Sequence, residues 1–116
     1  MLVTNLISTK GNKVPNQFAI ELEDANYFQS YESTCAKVAD EVKGMEIAKN
    51  YYGNFYERPV IKKVLTLGHD WDYSKTTVKY LKQFLKIYCP EYCSKTVKEL
   101  RALIASGEIK YDPNMY

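Results

Sequence analysis

The chain has 116 residues, 46% of them hydrophobic and 26% charged, which fits one domain with one core and excludes a disordered protein. The formal charge is +2, from 16 Lys+Arg against 14 Asp+Glu, too balanced for a protein held mainly by phosphates. Arg58 and Arg101 are the only arginines, which weakens a base-reading DNA binder, because bidentate reading favours Arg.

In chain order, Leu2 to Ser8 is β-compatible, and Lys10-Gly11-Asn12 has the chemistry of a tight turn. Val14 to Leu22 follows as a strand in which Phe18, Ile20 and Leu22 alternate with Gln17, Ala19 and Glu21. A turn at residues 23–26 leads into a third β-compatible run, Tyr27 to Tyr31, so the three segments read as an antiparallel meander. Ser33 to Asn50 has two readings. Ala36, Val38, Ala39, Val42 and Met45 are partly helix-periodic, with Gly44 as an interruption. Alternatively Thr34 to Ala39 is a fourth strand and residues 40–59 are an inserted, aromatic-rich loop or helix. Within that insertion Tyr51, Tyr52, Phe55 and Tyr56 form an aromatic cluster around Gly53.

Val60 to Leu67 alternates again as a strand, and the strongest helix comes next. Asp72 or Ser74 can cap it, Val78, Leu81, Leu85 and Tyr88 line one face, and Lys75, Lys79, Lys82 and Lys86 line the opposite one. Cys89-Pro90 ends it, since Pro disfavours helix in the residue before it. Ser94 to Ser106 is a second helix with Thr96 and Glu99 as a capping box and Gly107 at the αL cap position. Glu108 to Tyr111 reads as a short strand or extended tail, and residues 112–116 as a loose tail. The expected fold class is α+β: an antiparallel sheet of four to five strands with two C-terminal helices packed on it.

His69, Asp70 and Asp72 form the most enzyme-like cluster, yet Gly68-His69-Asp70 is turn chemistry and Trp71 suits a strand–helix corner. Cys35, Cys89 and Cys93 with His69 resemble a zinc set only loosely, because the second close ligand pair is missing. The odd cysteine count, the N-terminus without a basic start and apolar run, and the lack of any stretch near ~20 apolar residues point to free thiols in a reduced cytoplasm. No catalytic residue, metal ligand or cofactor is assigned, and the expectation is a non-enzyme. The lysine row and the aromatic cluster together suggest a single-stranded nucleic-acid binder as an alternative.

Two runs, Asn16 to Val38 and Trp71 to Leu85, resemble a family of small, mostly phage-encoded proteins of uncharacterised function. The resemblance is carried by Phe28, Ser30 and Tyr31, then Trp71, Ser74, Thr76, Thr77 and Lys79. It implies that Thr34 to Ala39 is a strand, and it implies a phage or mobile-element accessory protein acting in the host cytoplasm. The function expected from it is inhibition of a host protein or ribonucleoprotein machine, anti-CRISPR activity being the sharpest form. Tyr51, Tyr52, Phe55 and Tyr56 are the candidate partner-binding residues.

Overall fold

The computed structural model describes residues 1–115. Six strands form one sheet in sequence order: β1 (Leu2–Ile7), β2 (Lys13–Glu21), β3 (Ala25–Ser30), β4 (Ser33–Lys49), β5 (Phe55–Gly68) and β6 (Lys110–Asp112). The first five pair antiparallel, as short connections require, and β6 pairs parallel to β5 after the two helices. The α+β class therefore holds, but the sheet is six-stranded and mixed rather than purely antiparallel with four or five strands. The sixth strand, β6, takes Lys110 and Tyr111 from the run expected as a short strand or extended tail and adds Asp112 of the expected loose tail; Asn114 and Met115 donate their N–H groups to Asp112 in a turn. Met115 and the Thr34 carbonyl crowd Gly68, where an added Cβ would lie 2.7 Å from that oxygen. Tyr116 lies outside the described residues.

Helix α1 (Lys75–Tyr88) covers one face of the sheet. Tyr80, Leu81, Phe84 and Leu85 bury against it, and the sheet receives them with small side chains, Ala19, Cys35 and Ala36, around Phe28. This explains a reversal in β2. Gln17 and Ala19 are the buried pair, while Phe18 and Ile20 point to the opposite, open face. A helix carrying bulky side chains packs closely only over small ones, so volume decides the face against hydrophobicity.

The start of α1 is held by hydroxyls. Ser74 is the N-cap, accepting from the Thr77 N–H at 3.1 Å, and Thr77 Oγ1 lies 3.1 Å from the buried Ser30 Oγ on β3. Asp72, the other capping candidate, instead accepts from Arg101 on α2 at 2.6 Å. Further along α1 the Gln83 amide accepts from the Ile7 N–H at 2.8 Å and donates to the Ile7 carbonyl at 2.6 Å, closing that part of the outer edge of β1. The helix ends over β2, where Tyr88 Oη donates to Glu21 at 2.7 Å. A 3₁₀ turn (Pro90–Tyr92) leads to α2 (Val97–Ser106), which has the expected capping box and αL Gly107. Trp71 is buried at the corner between β5 and α1.

Candidate protein-binding arm

The helix layer ends at the row Glu21, Asn26, Val38 and Leu65, but β4 and β5 continue beyond it as an isolated two-stranded ribbon. Paired residues run from Asp40 and Lys63 at the base to Lys49 and Phe55 at the tip. The ribbon gives the molecule its 51 × 32 × 25 Å extents and a radius of gyration of 16.5 Å, against about 13 Å for a compact chain of this size. The expected loop or helix over residues 40–59 is thus an extended β-hairpin. Pro59 is tolerated because no third strand flanks β5 there.

Val42 pairs with Ile61 and Met45 with Pro59, so β4 carries one extra residue in between, at Lys43-Gly44. Gly44 takes φ +136°, a conformation that L side chains rarely adopt. The bulge keeps Val42, Met45 and Ile47 on one face with Phe55, Pro59 and Ile61. That face continues the one buried in the body, yet here no described residue covers it: Val42, Met45, Ile47, Phe55 and Ile61 are between 59% and 73% exposed. The opposite face is crossed by charged pairs, Arg58 with Glu46 and Lys43 with Glu41 at 3.2 Å, and Glu41 also accepts from Lys110 of β6 at 2.7 Å. These neighbours hold the Glu41 carboxyl below its ordinary range, the Lys110 hydrogen bond contributing most.

At the tip, the Asn50 side-chain oxygen accepts from the Tyr52 and Asn54 N–H groups at 2.9 and 3.0 Å. This turn presents Tyr51 and Tyr52, 97% and 84% exposed, with their rings edge to face at 5.5 Å. Phe55 stands on the apolar face under the Lys49 ammonium, 5.9 Å from its ring centre, and Tyr56 lies on the charged face. The four aromatics predicted as a cluster are therefore divided between the turn and the two faces of the ribbon.

The lysine row is elsewhere. Lys75, Lys79 and Lys82 border a groove between α1 and α2 floored by Val78 and Val97, and Lys86 follows on the same helix. None of the four pairs with a carboxylate among the described residues. The aromatic tip is at the end of the arm, so the two parts of the nucleic-acid reading do not meet in one site.

Ser30, Tyr31, Ser74, Thr76 and Thr77 of the two motif runs converge on one open cavity of about 790 Å³. Tyr31 adopts φ +56° as the first residue of the two-residue loop between β3 and β4, a position that favours glycine. Cys35 borders this cavity, but burial, with the Asp70 carboxylate adding to it, pushes its thiol up to about 11 and keeps it protonated at neutral pH. Asp70 accepts from Ser33 at 2.7 Å. His69 Nδ1 lies 3.4 Å from Tyr111 Oη, so the His69–Asp70–Asp72 cluster disperses to three different partners. Cys35, Cys89 and Cys93 are free, and no group of three metal-ligating side chains converges among the described residues.

No family model, curated protein or solved structure matches the chain. No helix among the described residues is long and apolar enough to cross a membrane.

Proposed function

We propose that this chain is a non-enzymatic binding protein that engages a host protein or ribonucleoprotein through the tip of its arm. Tyr51 and Tyr52, almost fully exposed and held by the Asn50 turn, are the observation that carries this reading. Tyrosines on a rigid turn bury large area at low entropic cost, which is why such residues anchor interfaces. With the phage-type resemblance of the two motif runs, the reading becomes an accessory inhibitor of a host machine, with an anti-CRISPR role as its sharpest form.

The alternative is single-stranded nucleic-acid binding, supported by a lysine row without carboxylate partners among the described residues and weakened because Tyr51, Tyr52, Phe55 and Tyr56 stand on the arm rather than beside it. Capture of partners from host lysate, with and without nuclease, separates the two. A protein partner that survives nuclease and is lost with Tyr51→Ala/Tyr52→Ala supports the tip. Loss of all partners on nuclease treatment, or on Lys79→Glu/Lys82→Glu, overturns it in favour of nucleic acid.

A further inference from the structure

The apolar face of the arm poses a question separate from the tip, because it lies on the shaft and nothing in the described chain reaches it. Residues 110–115 pack at the opposite face, where Lys110 meets Glu41, and α1 stops at the row before the arm begins. An isolated two-stranded hairpin is marginal in water, so a ribbon whose apolar side is bare lacks a packing layer.

We infer that the missing layer is the same face of a second copy of this chain, stacked antiparallel about a two-fold axis near Met45 and Pro59. The occupant follows from four features. First, geometry selects the antiparallel stack. Sheets pack ~10 Å apart and a helix is ~10–12 Å across, so a parallel stack would drive the two α1 helices into each other. The antiparallel stack instead lays each arm into the layer left vacant where the other copy's α1 ends, and the turn at residues 50–54 comes level with that helix end.

Second, the rows of β4 match in character, and those of β5 match at the axis alone. The axis row, Met45 and Pro59, faces itself; Val42 lies over Ile47 of the second copy, and Ile61 lies over Glu57. Third, the charges are complementary. The base carries Asp40 and Lys63, 3.0 Å apart, while the tip half carries Lys49 and Glu57. Stacking places Lys49 over Asp40 of the second copy, with Glu57 one ladder row from its Lys63. Each end of the interface then holds two cations and two carboxylates. Fourth, the area suffices. Five apolar side chains at these exposures offer on the order of 600 Å² per copy, so a pair removes roughly 1,200 Å², the lower bound of a stable interface.

Sedimentation velocity across a concentration series tests this directly. Wild-type protein is expected to pass from monomer to dimer in the micromolar range, and Met45→Lys is expected to stay monomeric throughout. Lys49→Asp should weaken the dimer about ten-fold, and Lys49→Asp with Asp40→Lys should recover most of the loss. In a Cys93→Ser background, Met45→Cys should be joined to a second copy by a short bis-maleimide, because the axis brings the two positions to the ~10 Å sheet spacing, beyond direct disulfide reach. Thermal unfolding of each variant establishes that it is folded, and Ile47→Glu replaces Met45→Lys if that variant is not. A wild type that stays monomeric to hundreds of micromolar overturns the inference, as does a dimer indifferent to both Met45→Lys and Ile47→Glu. Tyr51 and Tyr52 are untouched throughout, so failure here leaves the tip reading standing, and failure of partner capture leaves the dimer standing.

Discussion

The same two strands behave in opposite ways along their length. In the body, Ala36 and Val38 of β4 and Leu65 and Leu67 of β5 are fully buried in the core. A few residues on, Val42 and Ile61 continue the same face and stand mostly exposed. Strand sequence does not separate the two halves, since both are apolar on that side. The covering layer does, and its presence or absence divides the molecule into a self-sufficient body and an arm that offers its apolar surface to something else.

The contrast breaks most visibly at the corner residue of the body. Trp71→Ala should cost ~3–5 kcal/mol by urea unfolding, the range for a buried aromatic, whereas Ile47→Ala on the arm should change the monomer by less than about 0.5 kcal/mol. Equal effects would mean that the arm is as integrated as the core.

Alkaline titration sharpens it next. Burial, and then the hydrogen bond to Glu21, raise the Tyr88 hydroxyl to about 12 from an ordinary 10. A raised value favours the neutral form in the folded state, so the contribution is complete below pH 10 and is lost as pH rises through about 12. The fall in stability over that window should shrink in Tyr88→Phe, and an unchanged fall would remove Tyr88 as its source. A smaller effect belongs to the α2 cap: Thr96→Ala should cost ~1 kcal/mol. Hydrogen bonding to Thr96 holds the Glu99 carboxyl below its ordinary 4.5, so its share of the cap is present above that pH and fades as pH falls below it.

The smallest change is expected from the largest deletion. Asp40 pairs directly with Lys63, so replacing residues 41–62 with Asn-Gly should close a tight hairpin there. The shortened chain should unfold within about 0.5 kcal/mol of wild type, while losing both partner capture and dimerisation. A body that no longer folds would show that the arm is part of its core.

The body was largely legible in the sequence because its signals are local. Ser74, the Thr96–Glu99 box and Gly107 each name a helix end, and the alternation Ile61, Lys63, Leu65, Leu67 reports the correct face of β5. The arm was not, for a physical reason. The extra residue at Lys43-Gly44 spaces Val38, Val42 and Met45 four and three apart, which imitates a helical period although the backbone is extended. Alternation on either side of a glycine, out of step across it, was the signal available. The face of β2 was hidden differently, because the bulk of α1 on the far side of the contact selects Ala19 over Phe18. The aromatics were found as a group, but their division between turn, apolar face and charged face depends on the ladder register, which composition does not carry.

The bulge at Gly44 also makes the consequence of losing one residue depend on where along the arm it is lost. Lys43 and Gly44 together stand opposite Val60, so losing one residue there restores a one-to-one ladder and leaves Met45 across from Pro59. An in-frame loss of the Glu46 codon, one step beyond the bulge, would instead carry Ile47 and Lys49 to the charged side and bring Ala48 up in their place. The strands would still pair and the body would be untouched, yet the surface on offer would be a different one. A codon lost within the bulge thus leaves what this protein can hold unchanged, while a codon lost just beyond it exchanges one surface for another.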